Sequence, residues 1–197
     1  MRLLAIPALA LAAASASAQL VVFDWDTVNP GFVFGTFENN VSVSGGIATI
    51  SAATSAGGLG SFLGSNQSQY NNGFLELVAR RDGSSSAPLQ IVIERTDNSL
   101  AYFYELSPTV ATGSLATYLF AIDNPQFVLD RANGYSFVGS GNAFAPDLTN
   151  VGSILLQGNY SSDPFAYSVD RLSIVPEPAS MAVLGLGLAA LRRRRRA

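Results

Sequence analysis

The sequence contains no cysteine, no histidine and no lysine among its 197 residues. Without cysteine there are no disulfides and no thiol chemistry. Without histidine or cysteine, zinc, haem and most transition-metal sites lose their usual ligands. Ser-His-Asp and Cys-His nucleophile arrangements, their lysine-dependent variants and Schiff-base chemistry are excluded as well. We therefore expect no organic cofactor and none of these classes of enzyme.

Positive charge is scarce between the two ends of the chain. Of the 11 basic residues, Arg2 and the run 192–196 lie at the termini, and only five arginines remain in the body. The body keeps all of the 14 acidic residues except Glu177, so its net charge is about −8. This charge disfavours nucleic acid and anionic membrane surfaces as partners. It also leaves carboxylates available for calcium.

The first 18 residues have the three parts of a secretory signal peptide. Arg2 supplies a short positive region, and residues 3–14 supply an apolar helix-forming region. Ala16 and Ala18 flank Ser17 in the small-residue pattern that precedes cleavage. The pattern predicts that residues 1–18 are removed and that the mature chain begins at Gln19.

The last 22 residues, 176–197, join three features in a fixed order. Pro176, Glu177 and Pro178 break any preceding strand, because proline cannot continue a hydrogen-bonded ladder. The uncharged apolar run 179–191 follows, and as a helix it would span about 20 Å, less than a bilayer core of about 30 Å. The chain then carries five arginines that favour the cytoplasmic side, namely Arg192, Arg193, Arg194, Arg195 and Arg196.

This order resembles the PEP-CTERM sorting signal of Gram-negative bacteria. The resemblance implies an exosortase, a membrane-embedded cysteine transpeptidase, as the partner that processes the tail. It also implies transient residence in the inner membrane, then release or attachment at the cell surface or in the extracellular matrix. An ordinary C-terminal membrane anchor is the alternative. The arginine run does not indicate nucleic-acid binding, because it directly follows an apolar segment and the body has no other basic patch.

The body, residues 19–175, shows a period of two in its apolar residues and no helical period. Clusters of glycine, serine, asparagine, aspartate and proline separate the runs. The pattern predicts an all-β antiparallel sandwich, most simply a jelly roll, with a signal helix before it and a short apolar helix after it. The low-complexity segment 51–68 is predicted to contain a loop. The predicted strands cover residues 20–25, 31–37, 47–52, 74–80, 89–95, 100–106, 117–122, 126–130, 153–157 and 165–175.

Two acidic segments are similar to those of jelly-roll carbohydrate-binding modules. They are VVFDWD, with Asp24 and Asp26, and AYSVDRLSIV, with Asp170. In many such modules the first and last strands pair, and acids near these positions bind a structural calcium. The resemblance therefore implies Asp24, Asp26 and Asp170 as candidate calcium ligands, since calcium takes six to eight oxygens. Alternatively, Asp170 pairs with an arginine while Asp24 and Asp26 face water.

The function of the body stays open between two classes at this point. One is a structural protein of the surface or matrix, and the other is a glycan-binding module acting on exopolysaccharide. Sugar binding needs exposed aromatic rings, although most aromatics of a sandwich belong to its core. Tyr70, beside two polar residues, is predicted to lie in an exposed loop. The full set of candidate rings is Trp25, Tyr70, Tyr102, Tyr104, Tyr135, Tyr160 and Tyr167.

A glycosidase that uses two carboxylates is the enzyme alternative. Glu76, Glu94 and Glu105 lie on predicted strands and would suit it if they shared one sheet face. No local motif singles out a pair of acids, so the sequence favours a body without catalytic activity.

Overall fold

The computed structural model describes residues 19–63, 66–83, 85–106 and 112–177. The predicted signal peptide and its cleavage residues Ala16 and Ala18 lie outside the described residues, as do Pro178, the apolar run and the arginines. Three short 3₁₀ turns, Ser68–Tyr70, Asn142–Phe144 and Leu148–Asn150, connect strands. The strands are β1 (Leu20–Phe23), β2 (Phe32–Gly35), β3 (Val41–Ser44), β4 (Ile47–Ala52), β5 (Gly57–Phe62), β6 (Phe74–Arg81), β7 (Leu89–Arg95), β8 (Leu100–Leu106), β9 (Ala116–Ala121), β10 (Phe127–Asp130), β11 (Ser136–Gly139), β12 (Val151–Gly158) and β13 (Phe165–Val175).

The strands form two antiparallel sheets, which confirms the predicted all-β sandwich. The six-stranded sheet has the order β3-β4-β13-β6-β9, and β1 also pairs with β13. The seven-stranded sheet has the order β11-β10-β8-β7-β12-β5-β2. Apart from the hairpins β3-β4, β7-β8 and β10-β11, neighbouring strands are separated in the chain by other strands, as in a jelly roll, so both sheets depend on long-range pairing.

Alternation along each strand fills the space between the sheets. On β7, Leu89, Ile91 and Ile93 are fully buried and belong to the main core, while the residues between them point outward. The opposing sheet contributes Leu77 and Leu172 to the same core. Burial of such apolar side chains is the main stabilising contribution in a domain without disulfides.

The prediction of a loop within 51–68 missed β5, whose sequence GGLGSF has little apolar content. The strand is paired on both sides, with β12 and with β2. Its glycines are required because aromatic rings occupy the space that side chains would need. A Cβ added to Gly57 would lie 2.8 Å from a ring carbon of Phe37, and one added to Gly58 would lie 2.7 Å from Cζ of Phe34.

The two ends of the domain lie together, because the first and last strands pair as the resemblance implies. Leu20 of β1 is opposite Ile174 of β13. The side chain of Gln19 donates a hydrogen bond of 2.8 Å to Ser173. The start of the mature chain and the start of the sorting tail therefore leave from the same end of the sandwich. Within the part of the chain that the structure describes, no helix is long and apolar enough to cross a membrane.

Candidate functional site

The outer faces of the two sheets differ in chemistry. The six-stranded sheet presents paired charges to solvent. Arg171 contacts Glu76 at 3.2 Å, and Arg80 contacts Asp82 at 2.9 Å. Such pairs are typical of a solvated surface and contribute little to stability.

The seven-stranded sheet carries a second apolar cluster on its outer face. Val92, Ala101, Phe103 and Leu155 form its buried centre, and Phe32, Phe34, Phe127 and Leu129 pack around them. These side chains lie on the side of the sheet away from the main core. The partly exposed side chains of Phe32, Phe34 and Phe127 give this outer face an apolar surface above the buried centre, and such a surface indicates an interaction site.

A groove of about 480 Å³ opens over the β10-β11 side of this cluster. This volume falls within the range of small-ligand sites in proteins. Three exposed rings, Tyr135, Phe137 and Tyr160, form its rim, with 70%, 70% and 56% of their surface exposed. The full lining comprises Gln90, Phe103, Phe127, Leu129, Arg131, Tyr135, Phe137, Gln157, Asn159 and Tyr160.

Backbone geometry positions two of the three rim rings. Tyr135 and Tyr160 have φ angles of 57° and 58°, in the left-handed region that bulky residues rarely adopt. Residues held in such conformations concentrate at binding sites, where the surrounding structure imposes them. Tyr135 follows the Asn133-Gly134 turn before β11, and Tyr160 follows the end of β12. Both rings are therefore carried by turns at strand ends.

Phenylalanine rings form the floor and one wall of the groove. Phe103 of β8 and Phe127 of β10 are directly opposite in the sheet, with stacked rings whose centroids are 4.7 Å apart. Phe137 of β11 meets Phe127 edge-on at 5.4 Å. These pairs fix the ring orientations, because offset-stacked and edge-to-face contacts are favourable arrangements.

A row of polar side chains crosses the floor beside the rings. Gln90 donates from Nε2 to Oε2 of Glu105 at 2.7 Å, and Gln157 donates from Nε2 to Oε1 of Gln90 at 3.5 Å. An ionised carboxylate only accepts hydrogen bonds, so Glu105 determines which way each amide points. The groove therefore has a fixed pattern of donors and acceptors.

Arg131, Glu94 and Ser153 form a second polar group under the rim. Arg131 donates to Oε1 of Glu94 at 2.5 Å and also to the side chain of Asn98, while Ser153 donates to Oε2 of Glu94 at 2.7 Å. Burial raises the pKa of the Tyr160 hydroxyl above its usual value, and the negative charge of Glu94 adds to the rise. A tyrosine hydroxyl titrates near pH 10, so Tyr160 is protonated at neutral pH with or without this rise and can donate a hydrogen bond.

The groove suits a ligand that is apolar on its broad faces and carries hydroxyl groups at its edges. The rings can cover the faces, and the oriented amides and carboxylates can bind the edges. Of the three glutamates considered for catalysis, Glu94 and Glu105 share this outer face, whereas Glu76 lies on the six-stranded sheet. Both oxygens of Glu94 already accept hydrogen bonds, from Arg131 and Ser153.

The structure does not gather the three candidate calcium ligands into one group. Asp24 closes a turn, Asp26 lies against Gly46, and Asp170 contacts Arg171 at 3.6 Å. Within the described ranges, no three acidic side chains are grouped so that they could hold a metal ion. The alternative pairing of Asp170 with an arginine is present. Calcium binding stays a prediction, to be checked by a calcium-dependent rise in melting temperature.

The carboxylate of Asp24 holds a turn together, so the stability of the fold should depend on the ionisation of Asp24. Its carboxylate accepts hydrogen bonds from the Thr27 hydroxyl at 2.6 Å, the Val28 amide at 2.7 Å and the Thr27 amide at 2.8 Å. The Thr27 hydroxyl foremost, then the amides, lower the pKa of Asp24 from 3.8 to about 2. Because the pKa of Asp24 is lower in the folded state than in the unfolded state, its ionised form stabilises the fold at pH values above the unfolded-state pKa. This contribution disappears as the pH falls through the folded-state pKa.

We therefore expect Asp24→Ala to melt below the wild-type protein at pH 7. The difference should begin to shrink below about pH 5 and vanish only near pH 1, below both pKa values. Thermal unfolding monitored by circular dichroism across this range checks the prediction. Thr27→Val, which removes only the hydroxyl hydrogen bond to Asp24, should lower the melting temperature less than Asp24→Ala does. A difference that is constant across this pH range would contradict it.

The candidate aromatic residues divide cleanly between core and groove. Tyr135 and Tyr160 line the groove, as required of glycan-binding candidates. The prediction that Tyr70 is exposed was wrong: it is 6% exposed and packs in the main core. The other four candidates are also buried, namely Trp25, Tyr102, Tyr104 and Tyr167. Phe103, Phe127 and Phe137 also line the groove and were not among the candidates.

At the C-terminal end, the described residues include the first two of the sorting motif. Pro176 follows directly after β13, and Glu177 is exposed. Residues 175–196 match the PEP-CTERM protein-sorting motif. The protein is exported, processed by an exosortase and delivered to the cell surface or the extracellular space. No curated protein sequence matches the chain.

The fold of the body is similar to jelly-roll domains in solved structures. One is the family 11 carbohydrate-binding module from Clostridium thermocellum, solved in complex with a β-1,3-1,4-mixed-linked tetrasaccharide, at 16% identity and TM-score 0.57, covering 80% of this chain and 95% of that one. Others are an exo-β-agarase, at 14% identity and TM-score 0.55, and the agarase AgWH50C, at 14% and 0.57. They cover 82% and 81% of this chain, which spans 25% of each agarase. At these identities the likeness shows the fold.

Proposed function

We propose that the mature domain is a non-catalytic glycan-binding module that acts at the cell surface or in the extracellular matrix. The observation that carries the proposal is the groove on the seven-stranded sheet, where exposed rings surround hydrogen-bonding groups of fixed orientation. The carbohydrate-binding-module fold supports it, and so does export to a compartment where exopolysaccharide occurs.

The charges of the groove favour an uncharged polysaccharide. Among the described residues of the lining, Arg131 is the one cation, and Glu94 neutralises it at 2.5 Å. Glu105 adds a negative charge beside the floor. The body as a whole is also strongly acidic. A polyanionic chain would therefore be repelled, whereas a neutral glycan can use the carboxylates as hydrogen-bond acceptors.

Affinity electrophoresis of the mature protein tests the proposal. Native gels should contain neutral polysaccharide purified from the matrix of the same cells, β-1,3-1,4-glucan, or a polyuronate. We expect slower migration in at least one neutral gel and unchanged migration in the polyuronate gel. Unchanged migration in every gel would contradict glycan binding. Slower migration only with the polyuronate would contradict the charge argument.

A further inference from the structure

A second aromatic surface lies on the same outer face, at the opposite edge from the groove. It consists of Phe32 and Phe34 on β2 and Phe62 at the end of β5, and we call it the platform. The ring of Phe32 lies 4.7 Å from that of Phe62 and 6.1 Å from that of Phe34, measured between centroids. Phe62 is 73% exposed, and the other two rings are half-buried.

Glycines of β5 allow two of these rings to lie across the sheet. Phe32 is opposite Gly60, and Phe34 is opposite Gly58. A Cβ on Gly58 would lie 2.7 Å from Cζ of Phe34, and one on Gly60 would lie 3.1 Å from Cζ of Phe32. The ring tips therefore occupy the positions of the missing side chains. The rings therefore lie along the sheet, over the glycines, and do not stand up from its edge.

A buried apolar row lies under the surface between the platform and the groove: Leu155, Val92 and Phe103 are 5%, 1% and 8% exposed. Leu155 lies between Gly60 and Val92, and Val92 lies opposite Phe103, which is opposite Phe127 of the groove. From β2 to β10 this row crosses five strand intervals, about 24 Å. The polar row of Gln157, Gln90 and Glu105 runs beside it.

We propose that the platform is a second stacking subsite for the glycan chain that the groove binds, so that one chain lies across the strands from β10 to β2. The inference rests on the proposed function. The occupant is a neutral polysaccharide because Phe32 and Phe34 of the platform belong to the same outer-face cluster as Phe127 of the groove. The parallel polar row supplies hydrogen bonds along the same path. Such a site takes internal stretches of a long chain, and its affinity increases with chain length.

Isothermal titration calorimetry with size-fractionated fragments tests this inference. The probes are short and long oligosaccharides from partially hydrolysed neutral matrix polysaccharide and from β-1,3-1,4-glucan. For wild-type protein we expect about tenfold tighter binding of octasaccharides than of trisaccharides. Phe34→Ala/Phe62→Ser should lose this gain and keep the affinity for short fragments.

Leu119→Ser is the matched control, because Leu119 is 58% exposed on the other sheet. It should bind all fragments as the wild type does. Platform variants that keep the full gain with chain length would overturn the inference while leaving the proposed function intact. Absence of binding by the wild type to every fragment would overturn both. A wild-type dimer that Phe62→Ser dissociates, detected by light scattering, would assign the platform to a second copy of the chain instead.

Discussion

Glu177→Ala is expected to leave the precursor uncut and held in the membrane fraction. Glu177 is exposed, and it follows Pro176 at the point where the β13 ladder ends. The prolines on either side exclude regular structure, so the carboxylate is presented on an extended segment that an enzyme can bind. Removing the single charge of this motif should remove a charge-assisted contact with the exosortase. The mass of the C-terminal peptide in surface, medium and membrane fractions measures the effect.

Glu38→Ala is the matched control, because Glu38 is an exposed acid within the body. It should be processed as the wild type is, to a C-terminus near Pro176 without the arginine run. A Glu177→Ala protein with a wild-type terminus would refute the assigned role of Glu177. A wild-type protein that keeps Ala197 in the membrane fraction would indicate a plain anchor.

The position of the tail on the fold explains why processing need not disturb the domain. β13 is a central strand, bonded to β6 along one side and to β4 and β1 on the other. Its pairing with β6 extends to Val175, opposite Phe74. A cut after this residue removes no strand of the sandwich. The variant therefore tests recognition of the motif separately from folding of the body.

Strands with strong alternation could be predicted from the sequence, and weakly apolar ones could not. β7 and β8 carry β-branched or aromatic residues at nearly every inward position, and their predicted bounds match those observed. β3, β5 and β11 were missed. β3 and β11 are exposed edge strands, and β5 is built from glycines beneath aromatic rings. Their pairing comes from neighbouring strands, which a local pattern does not contain.

The groove could be predicted only in part for the same reason. Its two rim tyrosines, Tyr135 and Tyr160, were among the seven candidate rings, but local sequence context singled out Tyr70, which is buried. The phenylalanines of the groove were not among the candidates, since alternation does not tell which face of a strand covers the core. Phe103 and Phe127 stack because β8 pairs with β10, and Tyr160 joins them because β12 pairs with β7. That strand order depends on the complete fold.

Removing two rim rings with Phe137→Ala/Tyr160→Ala should weaken glycan binding by at least tenfold, about 1.4 kcal/mol. Both rings are largely exposed, so their loss removes stacking surface while leaving the core between the sheets intact. The melting temperature should therefore change by only about 2 °C. Retardation in gels of the polysaccharide that slows the wild type, followed by calorimetry, measures the loss.

Tyr160→Phe separates stacking from hydrogen bonding at the same position. It keeps the ring and the left-handed backbone but removes the hydroxyl, which can donate a hydrogen bond in the wild type. If the ring faces carry the binding, this variant should retain most of the affinity that the alanine variant loses. Leu119→Ala, which removes an exposed apolar side chain from the opposite sheet, should bind as the wild type does. Equal affinity of the double alanine variant and the wild type would place the glycan away from this groove.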